Sequence, residues 1–588
     1  SGQFDPYVVA LGTTLNLTSG AYSLVITTSS TTDYGFKGGA LFLNTGGATL
    51  TSGLWVQDSN DNGTASTSIV PEAGYILADK GISTSSVNFG NYRVGSTLNQ
   101  SVTLSNTAFQ TTTNVTEGLT ATSSLTGQAN ISELTSTYID QGVNSSFNVG
   151  LNTASVGAQS GTVALALNSV KGASASPRTD SALSLGSLDI AVSGVGYRAA
   201  VADFDTTTAT LGKFHVGATN ISGNVSVSNT VVNDGYSEGL SVASSSTTGG
   251  ASIENLPTGL IAAGGNSTVS AKLASVSSVG TNTGTVTLGL NTSGDGTSGL
   301  SAASIGSQVV NVSAQGYSGQ SIWNKNASGT WGSFDSWDTD GGTPGVDGAL
   351  STNDTATFGG GPTSATTVSL DGASPILTTL TFNNSGAAYN LAQGTGGSIT
   401  FGTAQSEATV TNTAGTHTIA ASLALARNTT LSTAAGSKLT LSGAVTGSNN
   451  LVKSGSGTLL ITANSSLMTG STNVEDGLLT VNGSIANSEV TVSSGGTLGG
   501  SGTVGATIVL AGATISPGNS PGLLTIAGDT TWSPDGNYNW QMVSATGTAG
   551  TDWDSINVTG SLDLTNLTSS DQFNLNLWSL SDNTTNGD

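Results

Sequence analysis

Along most of this chain apolar and polar residues alternate at period two, in short runs such as 8–17 and 286–290, and Gly, Ser, Thr and Asn end each run within a few residues. Successive side chains of a strand point to opposite faces, so alternation at period two is the signature of strands with one buried face. No stretch long enough for a helix keeps apolar residues at helical spacing without interruption by Gly, Thr or Ser. The pattern therefore predicts an all-β chain.

Residues 451–481 read LVKSGSGTLLITANSSLMTGSTNVEDGLLTV. Two apolar cores, Leu459, Leu460, Ile461 and Leu478, Leu479, Val481, lie about 20 residues apart. Short strands that recur once per coil predict a parallel β-solenoid, in which each coil buries its inward strip on its neighbours. Further strands are expected around Val368, Leu380, Ile399, Val410, Ile419, Leu439, Val492 and Ile508. With an inward strip, Leu459, Ile461, Leu479 and Val481 point into the core.

The same segment resembles the autotransporter-associated β-strand repeat. Leu451, Lys453, Gly455, Gly457, Thr458, Leu459 and Ile461 match its first half, and Gly470, Thr472, Val474, Gly477 and Leu479 its second; Met468 stands where an aromatic is usual. Residues 515–542 and 552–566 resemble the ending common in that family, whose members often continue into a PEP-CTERM sorting tail. The resemblance implies a secreted bacterial surface protein with a β-helical body. The absence of such a tail, and of a signal peptide ahead of Ser1, is read as processing or trimming.

Upstream, 87–197 and 209–317 are two copies of one unit. VNFGNYRVGSTLNQSVTLSNT (87–107) corresponds to TLGKFHVGATNISGNVSVSNT (210–230), and Glu117-Gly118-Leu119 to Glu238-Gly239-Leu240. GTVALALN (161–168) corresponds to GTVTLGLN (284–291), and IAVSGVGY (190–197) to VNVSAQGY (310–317). Many short alternating strands in units of this length predict immunoglobulin-like sandwiches. The opening phrase resembles the choice-of-anchor D family, whose implied role is structural or adhesive.

The expected order is thus an N-terminal β segment at 1–86, a partial or divergent sandwich; sandwich copy one at 87–200; sandwich copy two at 201–318; an aromatic cap at 319–360; and a right-handed parallel β-solenoid at 361–588. Trp323, Trp331 and Trp337 would close the solenoid's open end.

Of 588 residues, 8% are charged, and the net charge of −23 reflects 12 Lys and Arg against 35 Asp and Glu. Phosphate contacts need clustered bases, which argues against nucleic acid. No apolar run is long enough for a membrane helix. With no Cys, disulfides and thiolate metal sites are excluded. Asn-x-Ser/Thr triplets are as frequent as this composition makes them by chance.

Chemistry is thin. The histidines are His215 and His417; His215 replaces Arg93 of copy one and reads as a surface strand position, His417 as structural. Glu475 and Asp476 are adjacent and read as a turn, not as the clustered carboxylates of a polysaccharide-acting β-helix enzyme. Asp58, Asn60 and Asn62, with Gly63, match half of a calcium loop with oxygen ligands at alternate positions, though Ile69 stands where a bidentate Glu is expected. Asp338 and Asp340 form a weaker candidate, and an Asx-rich turn explains both. Calcium is the one cofactor considered. The expectation is a non-enzymatic extracellular or cell-surface protein that assembles into a fibre, surface layer or matrix, joined to copies of itself through terminal strands. The alternatives are an adhesin or polysaccharide-binding protein, with Trp and Tyr near the junction as contacts, and the enzyme just described.

Overall fold

The structure is a computed structural model that describes residues 77–108, 116–132, 138–170 and 182–581, with the short antiparallel pair Asn44–Thr45 and Ala48–Thr49. The strands expected at 7–17 and 22–28, and the loop 58–63, lie outside the described residues. Among those described there are strands and two single turns of 3-10 helix, Phe334–Ser336 and Gly348–Leu350. The chain divides into two compact units, Ser1–Arg198 and Ala199–Asp588.

The first unit holds a sandwich of two four-stranded sheets. One runs, in spatial order, Ser86–Arg93, Leu183–Tyr197, Gly157–Val170, Gly118–Gly127; the other Lys80–Ile82, Asn99–Asn106, Asn144–Leu151, Ala129–Ser132. The second unit opens with a sandwich of the same strand order. Its sheets run Thr208–His215, Ala303–Tyr317, Gly280–Ser293, Gly239–Thr248 and Ala202–Phe204, Thr219–Asn229, Asn266–Ser275, Ala251–Glu254. In each, the strand that opens the repeated phrase pairs in parallel with the long last strand, and the other ladders are antiparallel. Each sandwich takes a first strand from residues ahead of that phrase, Lys80–Ile82 and Ala202–Phe204.

The repeated phrases have a physical basis. Asn106 and Asn229, the Asn of each Ser-Asn-Thr, are buried and donate from Nδ2 to the carbonyls of Glu117 and Ile139, and of Glu238 and Ile261. The glycine of each Glu-Gly-Leu leaves room for a crossing segment: a β-carbon at Gly118 would enter the Tyr138 ring, and one at Gly239 the Leu260 side chain. The leucines, Leu119 and Leu240, are fully buried and exchange backbone hydrogen bonds with Ile139 and Ile261.

From Gln320 onward the second unit is a parallel solenoid. A 13-stranded sheet begins at Gln320–Ile322 and Thr355–Phe358, an 11-stranded sheet at Gly329–Thr330 and Thr366–Ser369, and a third of four strands runs from Ile376–Leu377 to Val445–Thr446. Inward residues stack in register. One column reads Ala356, Leu380, Val410, Leu431, Lys453, Val474, Val492, Val509. Another reads His417, Leu439, Leu459, Leu479, Leu498, Ile515. Leu459, Ile461, Leu479 and Val481 are fully buried, in the inward register the alternation predicts. Slipping a strand by one residue would turn its apolar set outward, so the columns hold the coils in phase.

Candidate functional site

Two polar residues stand inside these apolar columns. Lys453 lies between Leu431 and Val474. Its ammonium donates to the carbonyls of Ser454 (3.0 Å), Gly455 (2.6 Å) and Asp476 (2.9 Å), tying its own coil to the next. Three protons meet three acceptors, which is what a buried charge needs. Burial nevertheless pushes its pKa down to about 8. Because Leu451 and Lys453 are two apart on one strand, period two already put both on one face.

His417 heads the other column, its ring stacked on Phe382 at 4.8 Å. Nδ1 accepts the backbone N–H of Tyr389 at 3.0 Å, so it carries no proton, and Nε2 donates to Ala414 O at 2.9 Å. His417 is a neutral structural imidazole, and burial holds its pKa below the usual histidine range.

The start of the solenoid is filled by aromatics. Trp323, Trp331 and Trp337 are all buried and meet edge to face, with centroids of Trp331 and Trp337 4.9 Å apart. Trp331 Nε1 donates to Pro344 O and Trp337 Nε1 to Trp331 O. These rings are core, as the cap reading expects, which corrects the alternative that they offer exposed contacts to a glycan; their faces are packed inside the protein.

The joint between the second sandwich and the solenoid is where titratable groups converge. Tyr317, last residue of the sandwich, donates from its hydroxyl to Asp347 Oδ2 at 2.8 Å and stands edge-on to Phe334. His215 is buried, not on the surface as its match to Arg93 predicts, because the segment 345–354 covers it. Its Nε2 lies 3.1 Å from Asp354 Oδ1, and Asp354 Oδ2 accepts the N–H of Gly345 at 2.7 Å. Gly319, with φ +74°, sits where any side chain would run into the Asp354 carboxylate. Nothing in the local sequence marks this pair.

The carboxylates of the weaker metal candidate serve the backbone: Asp338 Oδ1 accepts from Ile322 N–H at 2.5 Å and Oδ2 from Gly341 N–H at 2.9 Å. Glu475 and Asp476 are exposed in the turn between Thr472–Val474 and Gly477–Val481. Among the described residues no three His, Cys, Asp or Glu side chains gather as metal ligands. Asp58, Asn60 and Asn62 lie outside them.

No protein-family model matches the chain. Over 98 residues it is 37% identical to an extracellular serine protease of Serratia marcescens, a match covering 17% of this chain and 9% of that relative's length. Solved structures similar to it include the human desmocollin-1 ectodomain (12% identity, TM-score 0.20, covering 45% of this chain and 47% of that one). The Yersinia pseudotuberculosis adhesin InvE is another (14%, TM-score 0.13, 42% and 60%). A third is domains 4–9 of the surface layer protein SbsC (15%, TM-score 0.14, 49% and 41%). At such scores these likenesses carry no argument.

Proposed function

We propose that this chain is an extracellular structural protein of a cell surface, whose work is to space and assemble rather than to turn over a substrate. The observation that carries this reading is the use made of its scarce polar chemistry. Lys453, His417, Asp338 and Asp354 spend their hydrogen bonds on the protein's own backbone and on the joint between modules, holding a stack of coils together. The partial match to a protein named as extracellular supports the location.

Assembly through terminal strands gains support from Asn574–Ser579, the outermost strand of the 11-stranded sheet. Its Leu575 and Leu577 are 58% and 67% exposed, and the strand ends the sheet among the described residues; an unpaired parallel edge accepts a further strand. A head-to-tail contact of this kind propagates unless its rotation closes a ring. Negative-stain microscopy of the native material is the test: fibres or a lattice are expected, and removal of residues 1–20 should leave monomers. Monodisperse single chains in the native material would overturn the reading.

A polysaccharide-binding role has one observation in its favour. Thr355, Thr379, Thr409 and Thr430 form an outward column in register, with Thr357, Thr381 and Thr411 beside it. Strands about 4.8 Å apart set these hydroxyls as a regular face. Sedimentation with insoluble polysaccharide, lost in a Thr379→Lys, Thr381→Lys variant, checks this second reading.

A further inference from the structure

We propose that the joint between the second sandwich and the solenoid is a proton-dependent latch, closed when His215 is an imidazolium and loosened when it is neutral. The geometry demands the charge. Nδ1 of His215 lies 2.6 Å from the carbonyl oxygen of Val216, and Nε2 lies 3.1 Å from Asp354 Oδ1. A carbonyl and a carboxylate only accept, so both ring nitrogens must donate, and only the imidazolium has two N–H groups. A neutral ring turns a lone pair toward one of these oxygens.

The surroundings leave the imidazolium as the natural counter-charge. Asp354, whose side chain is 2% exposed, has its other oxygen on Gly345 N–H. Asp347, the second carboxylate facing the ring, is held by Tyr317, whose ring stands edge-on to His215 at 5.6 Å. Lys213, on the same strand as His215, is turned elsewhere: its ammonium lies over the Phe334 ring at 3.8 Å and 3.6 Å from Asp335. That outer pair is largely exposed and screened by solvent. Losing the His215 proton therefore removes the counter-charge of the buried Asp354 and sets a ring lone pair against either Val216 O or Asp354 Oδ1, at the contact between two modules.

The hydrogen bond to Asp354 raises the pKa of His215 and outweighs burial, which acts the other way. With the folded value above the unfolded one, the latch contributes fully below about pH 6.5 and is lost as pH rises through the raised value.

The test is hydrogen–deuterium exchange on the full chain at about pH 6 and about pH 9, corrected for intrinsic exchange, on either side of a raised histidine pKa. Protection of 213–218 and 345–354 should fall by about tenfold or more at the higher pH, as expected when a coupled proton is lost. Protection of 458–461 should stay constant. His215→Gln, which keeps a neutral donor, should remove the pH response, and His215→Ala should give low protection at both values. NMR of the two histidine rings should place the His215 titration above that of His417. Equal wild-type protection at both pH values, the same fall in His215→Gln, or a His215 titration below that of His417 would overturn the proposal.

Discussion

Glu117 and Glu238 hold the same buried place in the two sandwiches. Glu117 Oε2 accepts from the Ser169 hydroxyl at 2.5 Å, and Glu238 Oε2 from the Thr292 hydroxyl at 2.6 Å. Those hydroxyls in turn accept the backbone N–H of the buried Ala78 and Ala200, just ahead of the first strand of each sandwich. Conservative exchange of Ser for Thr preserves the relay. Its function is to fix where the incoming chain meets the sandwich.

Removing the relay should therefore loosen one module at its start. Glu238→Ala leaves the Thr292 and Ser298 hydroxyls without their acceptor and opens a cavity, at a cost of about 3 kcal/mol or more. Denaturant unfolding followed in the second sandwich measures this, and Glu117→Ala should have the same effect in the first. A change below about 0.5 kcal/mol, the range of ordinary surface substitutions, would show that the relay is dispensable.

Lys453→Met keeps much of the side-chain length but leaves the carbonyls of Ser454, Gly455 and Asp476 without this donor. At about 1–3 kcal/mol for a buried unsatisfied group, the solenoid should lose a few kcal/mol near neutral pH. The pH dependence has a definite sign. The folded pKa of about 8 lies below the ordinary lysine value of 10.5, so the unfolded chain binds this proton more tightly. Between those values the Lys453 contribution to stability rises with pH. Urea unfolding of wild type against Lys453→Met, compared near the two ends of that window, should show the gap widening as pH rises.

Leu459 is fully buried between Leu439 and Leu479 in an unbroken column. Leu459→Asp places an unpaired carboxylate there, at a cost of several kcal/mol, and should unfold the solenoid. Circular dichroism and limited proteolysis would report it, with the sandwiches as internal reference. A neutral outcome would mean the strand can reverse its faces.

Calcium at Asp58, Asn60 and Asn62 is a proposal resting on sequence spacing. If that loop takes the ion, a chelator should lower the melting temperature, and Asp58→Ala should abolish the sensitivity. An unchanged melting curve on chelation would remove calcium from the account.

The local code carried a great deal. Alternation decided which side of each strand is buried, and the recurrence of Leu439, Leu459 and Leu479 announced the column they form. Duplicated phrases announced two sandwiches with one strand order. Such features are legible because they rest on periodicity, and every coil or copy repeats the same burial requirement. Lys453 was legible in part: its spacing from Leu451 gives its face, whereas its three acceptors come from turns that only the stacked coils bring together.

The joint was decided by tertiary structure alone. His215 and Asp354 are 139 positions apart, in modules with different periods, so no repeat foreshadows their meeting. His215 aligns with Arg93, and alignment implies the same exposure; its burial comes with Asp354, a residue outside the repeated unit. Trp323, Trp331 and Trp337 similarly read as either cap or contact surface until packing put them inside. Period and propensity are properties of neighbours along the chain and determine strands, faces and repeats. Which charge meets which depends on how modules dock, and that is settled by shape and desolvation across the fold.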